Sequence, residues 1–188
     1  MSAPITIRDA SIADLPAIVD LLNALLGSTT YEYTETPHTV ASRRPWFEDQ
    51  RQRGFPVIVA ETGLAGDGVG RRVVGFASYG DFRDSVARPG FRHTVEHTVH
   101  VARQWQGRGI ARSLMEALIG QAVAAEVHVM IGAIDATNRG SIEFHERLGF
   151  VEVGRLPDAA RKFGRWCELV LLQLTLDAAS SAGPGNDT

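Results

Sequence analysis

The chain has 188 residues, 19 Lys and Arg against 22 Asp and Glu, and a formal net charge of -3. That length suits one domain with a sizeable core, and the slight acidity argues against nucleic acid or an anionic membrane as the main partner. No apolar run approaches the roughly 20 residues of a membrane span, and a lone cysteine, Cys167, excludes an internal disulfide and any multi-cysteine zinc site. The cytoplasm is the expected address, and no metal is expected. Lys162 is the only lysine, so every other basic side chain is an arginine.

"PITIRDA" at the start alternates like a short strand. Ser11 then predicts a helix cap, with Asp14 as its capping-box partner and Ile12, Leu15, Ile18, Val19, Leu22, Leu25 and Leu26 on one helical stripe. Val40 to Arg53 reads as a second helix, broken or started afresh at Pro45. "FPVIVAE" and "RRVVGFASYG" read as strands joined by the glycine-rich hairpin loop "TGLAGDGVG". "RHTVEHTVHV" is a further strand. A helix is expected from Gly107 to about Ala125, then a strand "VHVMIGAI", a helix from Asn138 to Leu148, and strands "FVEVGRL" and "RWCELVLLQLTL". The order β-α-α-β-β-β-α-β-α-β-β describes an α/β fold, a mixed sheet covered by helices. The small, polar tail from residue 178 predicts disorder and leaves residues 1–177 as one domain.

Three stretches carry polar chemistry. In "TVEHTVHV", Val95, His97, Val99 and Val101 share one side of the strand, and Thr94, Glu96, Thr98 and His100 the other. A central strand should be apolar on both faces, yet this one carries a carboxylate and an imidazole along one. The plain alternative is an edge strand with Glu96 in water, and the pattern alone leaves the two even.

The second stretch is "QGRGIARSLM", Gln106 to Met115. A helix start leaves about four N–H groups without internal partners and a partial positive charge, so it can hold an anion. Gly107, Gly109 and Ala111 leave that backbone open to close approach, and Arg108 and Arg112 add charge, a composition that suits a pyrophosphate. A nucleotide P-loop would need a lysine, and a dinucleotide fingerprint a third glycine; both are missing. A tight turn with glycines for geometry alone is the plainer reading of the motif by itself. The third stretch is Asn138, Ser141 and His145, spaced three and four residues apart on one helix face. Asn138 and Ser141 suit hydrogen bonds to an extended polar ligand and His145 suits proton exchange, although a lone helical histidine more often packs.

Taken in order, the strand, "QGRGIARSLM" and "NRGSIEFHERLGF" resemble the acetyl-CoA motifs of the GNAT N-acetyltransferase superfamily. "GFRHTVEHTVHV", "HVMIGAIDATN", "HERLGF" and "RKFGRWCELVLLQL" narrow the resemblance to phosphinothricin and methionine-sulfoximine acetyltransferases, over about Ile5 to Leu176.

The resemblance implies a mixed, mostly antiparallel sheet of about seven strands with splayed central strands. Pantetheine would lie along Val99, His100 and Val101, with Gln106, Gly107, Arg108, Gly109, Ile110, Ala111 and Arg112 around the pyrophosphate. Asn138 would contact the pantetheine arm, and Ser141 is the further cofactor-binding candidate on its helix. Glu96 falls on the general-base position, and a backbone N–H near Val101 would stabilise the oxyanion. His145 stands where many relatives carry tyrosine and this subfamily histidine. Its implied role is to protonate the departing CoA thiolate, ahead of assisting amine deprotonation. His100 departs from the tyrosine usual in close relatives, which bears on the pocket wall or adds a titrating group. On the substrate side, Arg83 in "GDFRDS" would pair with a carboxylate, with Arg92 as a second candidate. His97 and Thr98 would border the amine, Tyr31 and Tyr33 the side-chain pocket. "RKFGRW" at 161–166 would close the pocket, from the partner subunit of a homodimer.

The leading expectation is therefore direct acetyl transfer from acetyl-CoA to the α-amine of a small amino-acid-like molecule. Phosphinothricin, methionine sulfoximine and methionine sulfone are the candidate substrates. Acetylation of a protein amino terminus or a polyamine, and a non-catalytic acetyl-CoA sensor, are the alternatives.

Overall fold

The structure, a computed structural model, describes residues 4–63 and 71–176. Seven strands form one sheet: β1 (Ile5–Asp9), β2 (Val57–Thr62), β3 (Arg72–Asp81), β4 (Thr94–Val101), β5 (Val129–Asp135), β6 (Val151–Lys162) and β7 (Arg165–Thr175). Their order across the sheet is β1-β2-β3-β4-β5-β7-β6. Only β4 and β5 run parallel; every other pair is antiparallel. The expected loop residues 64–70 and the tail from residue 178 lie outside the described residues. Among the described residues no helix is long and apolar enough to cross a membrane.

Helices α1 (Leu15–Leu26) and α2 (Val40–Gln52) cover one face, and α3 (Ile110–Ala124) and α4 (Arg139–Glu146) the other. On the first, Leu15, Ile18 and Leu22 meet Phe47 over Val57, Val59 and Phe76. On the second, Ile110, Leu114, Met115 and Leu118 bury themselves against Ile58, Val74, Val95 and Met130. Strand alternation supplies both sets: Val57 and Val59 point one way from β2, Ile58 and Ala60 the other.

The Ser11 capping box forms as expected, but it opens a short 3-10 turn, and α1 follows at Leu15. Pro45 does not break α2, which runs unbroken from Val40 to Gln52. The proline removes one backbone bond, to the carbonyl of Ala41; both residues are exposed, so water can take that carbonyl. β6 runs on past the expected Leu156 to Lys162, through a register shift between Leu156 and Ala160. It turns into β7 through Phe163 and Gly164, both at positive φ, the geometry of a tight two-residue hairpin. Lys162, wholly buried, donates to the carbonyl of Glu32 at 2.5 Å, and the Phe163 amide donates to Glu35 Oε1 at 2.8 Å. The β6–β7 tip is thereby tied to the loop between α1 and α2 of its own chain.

The decisive feature lies between β4 and β5. They pair only from Thr94↔Val129 to Glu96↔Ile131. Beyond that point β4 continues to Val101 bonded only to β3, and β5 to Asp135 bonded only to β7. The two strands part, leaving backbone donors and acceptors of both facing a cleft.

At the other end of the sheet, Arg8 bonds Asp14 through two nitrogens at 2.8 and 2.9 Å and Glu61 at 2.5 Å, locking α1 to β1 and β2. The Arg8 bonds bring the Asp14 carboxyl down to about 2 from its ordinary 3.8. A depressed carboxyl stabilises the fold above its ordinary pKa and loses that contribution on acidification. Asp14→Asn should therefore lower stability at neutral pH by about 1–2 kcal/mol, Arg8 being partly solvent-screened. Urea melts should show wild type and variant converging as pH falls from 3.8 to about 2.

Candidate active site

β4 carries its residues to two different places. Glu96 and Thr98 face the α1–α2 side, where they line a cavity of about 280 Å³ with Arg43, Trp46, Gln50 and Phe76. Its other walls include Glu32 and His38 from the α1–α2 loop and Asp81 at the end of β3. The Glu96 carboxylate opens into this space, while the surrounding protein removes enough water to raise its pKa above the ordinary glutamate value. Gln50, buried, is fixed by donating from Nε2 to the Tyr79 carbonyl at 2.7 Å. Burial alone would raise Asp81, but bonds from Arg53 and Ser85 hold its carboxyl below the ordinary range.

His97 goes the other way. Its ring lies under the sheet against His145, centroids 4.9 Å apart and planes tilted 30°, with Phe150 edge-on to both. It so closely covers Gly132 that a Cβ there would come within 3.0 Å of His97 Nε2. Glu96 and His97, adjacent in sequence, are thus parted by strand alternation, and only Thr98 of the expected amine neighbours joins Glu96 at the cavity. Burial, then repulsion from His145, pushes the His97 imidazole down to about 3. Burial alone takes His100, stacked on Phe76 at 5.3 Å, to about 4. Both rings are neutral at physiological pH, and His100 packs on Phe76 without joining the cavity lining.

His145 sits at the head of this buried group on α4. Its Nδ1 donates to the Ser141 carbonyl at 2.6 Å, which leaves the lone pair on Nε2. That Nε2 is buried without a partner, as are both nitrogens of His97. Burial lowers the His145 pKa and outweighs the Ser141 bond that favours the cation. Neutral, with Nε2 as acceptor, this ring is set to take a proton before it can give one.

The glycine-rich turn leads from the open end of β4 into α3. Gly107 and Gly109 have φ of 72° and 79°, left-handed values that side chains resist, which is why the helix starts at Ile110 and not at Gly107. The first helical bond into the turn is Ser113 N–H to Gly109 C=O at 3.0 Å, so the amides before it have no helical acceptor. Gln106 Nε2 donates back to the Val101 carbonyl at 3.1 Å, pinning the turn to the strand end. Arg108 stacks on Trp105, and Arg112 pairs with Glu116 one helical turn on. Across the cleft, Asn138 caps α4, its Oδ1 accepting from the Ser141 amide at 3.3 Å.

The other expected substrate residues stand apart. Arg83 is exposed in the β3–β4 loop, packed over Phe82 and Phe91, and Arg92 is exposed nearby; neither lines the cavity. Burial, and then the nearby charge of Asp135, raises the pKa of the Tyr33 hydroxyl, and Tyr31 is exposed. The arginine that does line the cavity is Arg43, which the sequence reading passed over. Its signal was present: Arg43, Trp46, Phe47 and Gln50 fall at i, i+3, i+4 and i+7 on α2. Among the described residues no cluster of His, Cys, Asp and Glu is placed to hold a metal.

A splayed parallel pair opening onto a bare-amide helix start defines a coenzyme-A-type acyltransferase cleft. Residues 18–150 match the model of the acetyltransferase (GNAT) family, and the chain belongs to that family. It is 44% identical to an L-methionine sulfoximine/L-methionine sulfone acetyltransferase of Pseudomonas aeruginosa, covering 94% of this chain and 98% of that one. It is 39% identical to the L-amino acid N-acyltransferase MnaT of Escherichia coli, over 92% and 94%. Among solved structures, a GNAT phosphinothricin acetyltransferase from Sinorhizobium meliloti in complex with acetyl-CoA superposes with a TM-score of 0.82 at 30% identity, over 99% and 95%.

The left-handed Gly109 gives a direct test of the turn. Gly109→Ala should cost about 1–2 kcal/mol of stability and raise the Kd for acetyl-CoA by calorimetry. With the cofactor saturating, its kcat should stay near wild type.

Proposed function

We propose that the protein transfers acetyl from acetyl-CoA directly to the α-amine of a small amino-acid-like substrate, of the methionine sulfoximine, methionine sulfone or phosphinothricin type. One observation carries this: β4 and β5 separate immediately after Glu96, beside the cavity that Glu96 lines and just ahead of the open turn. The named relatives support the substrate class.

The fit to the coenzyme rests on unsatisfied backbone. Freed backbone groups of Val99 and Val101 suit a pantetheine arm lying as an extra strand, whereas the His100 backbone turns to Phe76 of β3; the amides of Gly107 to Arg112 suit the diphosphate, with both arginines adding charge. Asn138 and Ser141 flank the same cleft. Glu96 takes the proton from the attacking amine, and its raised pKa brings it closer to the amine's own, which eases the transfer. A backbone N–H near Val101 is the donor for the oxyanion. His145, neutral with an unpartnered lone pair on Nε2, accepts the second proton, which the nitrogen sheds once it has bonded the carbonyl carbon, and gives it to the thiolate as the C–S bond breaks. This refines the expected acid role: the ring must be charged during turnover before it can act as acid. Positioning amine and thioester together supplies about 7–11 kcal/mol, more than the base itself.

Transfer without an acetyl-enzyme follows from Cys167, buried in β7 away from the cavity lining. Residues 1–177 act as one catalytic unit, in the reducing cytoplasm that an unpaired cysteine suits. A homodimer is supported by apolar side chains left bare on the outermost hairpin, with Val151 59% and Trp166 62% exposed.

Release of CoA thiol with L-methionine sulfone as acceptor tests the activity, and initial rates should give intersecting double-reciprocal lines. Labelled acetyl on the enzyme in the absence of amine would contradict direct transfer. Glu96→Gln should lower kcat by about 10²–10⁴-fold with the Kd for acetyl-CoA unchanged. In wild type, kcat should fall on acidification through a pKa above the ordinary 4.5 of glutamate, and the variant should lose that limb.

A further inference from the structure

Among the described residues the half-buried Arg8 is neutralised by Asp14 and Glu61, and Arg53 by Asp81 and Asp49. Arg43, which lines the cavity, has no such partner. Its guanidinium lies over the Trp46 ring at 4.0 Å, its Nε is buried without a hydrogen-bond partner, and no carboxylate comes within ion-pair distance among the described residues. Burial pushes its pKa down, opposed only by the more distant charge of Glu32. A desolvated guanidinium held flat by an aromatic ring, with a donor unused, is a costly arrangement unless an acceptor arrives.

We propose that Arg43 binds the α-carboxylate of the substrate and so makes the enzyme selective for free amino acids over their neutral derivatives. The inference rests on the amino-acid reading above and names the group that reads it. Arg43 and Glu96 line one cavity of about 280 Å³, which has room for a single amino acid. An α-amino acid presents its cation and its anion on one carbon, so an acid wall and a basic wall in one small space orient it end to end. Glu96 receives the amine, Arg43 the carboxylate, and the side chain is left to the remaining walls. The pairing also gives the guanidinium the acceptor that the protein withholds. Trp46 keeps the planar fork from swinging away, and Gln50, one helical turn further and fixed on Tyr79, holds α2 against the sheet.

The test compares L-methionine sulfone with its α-carboxamide, with rates expressed per unprotonated amine. Wild type should show a kcat/KM for the acid well above that for the amide. Arg43→Gln should raise KM for the acid between about ten- and a hundredfold, the range of a lost charge-assisted hydrogen bond, with kcat little changed. Its kinetics with the amide should match wild type, which also shows that the variant folds. Arg43→Lys, which keeps charge without the fork, should retain part of the preference. Equal wild-type rates with acid and amide, or an Arg43→Gln loss of the same size for both, would overturn the assignment while leaving an amine acetyltransferase in place. Wild type inert toward both compounds would overturn the amino-acid reading and Arg43's role with it.

Discussion

The whole arrangement depends on hydrogen bonds that two adjacent parallel strands do not make. After Glu96 and Ile131, β4 and β5 stop exchanging backbone bonds, although both continue as strands supported from their outer sides. Buried backbone groups do not remain unpaired without cause, because each costs about what a lost hydrogen bond costs. The opening is therefore a built slot for an extended, peptide-like arm. It ends at a helix whose first amides are equally without internal acceptors. Strand gap and bare helix start are one continuous deficit of hydrogen-bond acceptors and donors, the deficit that the pantetheine diphosphate of the proposed function would fill.

Around that slot the sheet separates two kinds of polar chemistry. On the α1–α2 side lie charged groups around an open cavity: Glu96, Arg43, Glu32 and Asp81. On the α3–α4 side lie uncharged imidazoles under aromatic cover: His97 and His145, with Phe144 and Phe150. The split follows from nothing more than alternation along one strand, yet it gives each side its task. The charged side is the one to which the proposed function assigns substrate selection and amine deprotonation. The dry side keeps its imidazoles neutral, so a proton arriving there is not held in advance.

Much of this was legible in the sequence because the signals are local. Gly107 and Gly109 had to adopt left-handed geometry for the turn to form, and the alternation of "TVEHTVHV" put Glu96, Thr98 and His100 on one face and His97 on the other. Placing His97 beside the amine ignored that alternation and trusted sequence proximity. Arg83 was favoured because its loop matches a family pattern, but a loop does not reveal where its side chain points, and this one packs on Phe82 and Phe91. Arg43 was overlooked because α2 is rich in charge and reads as a solvated helix. Only the placement of α2 over β3 and β4 shows that its Arg43–Trp46–Gln50 edge faces inward. Likewise the full length of β6 was hidden by the Pro157–Asp158 irregularity, which bends a strand that β7 nonetheless keeps paired on both sides of it.

Hydrogen–deuterium exchange of the amides from Gly107 to Arg112, with and without CoA, tests the central claim most directly. Those amides have no acceptor of their own, so they should exchange rapidly in the free protein. Saturating CoA should slow them strongly, together with those of Val99 and Val101. Unaltered exchange across the turn, with CoA demonstrably bound, would contradict a diphosphate seated on this backbone.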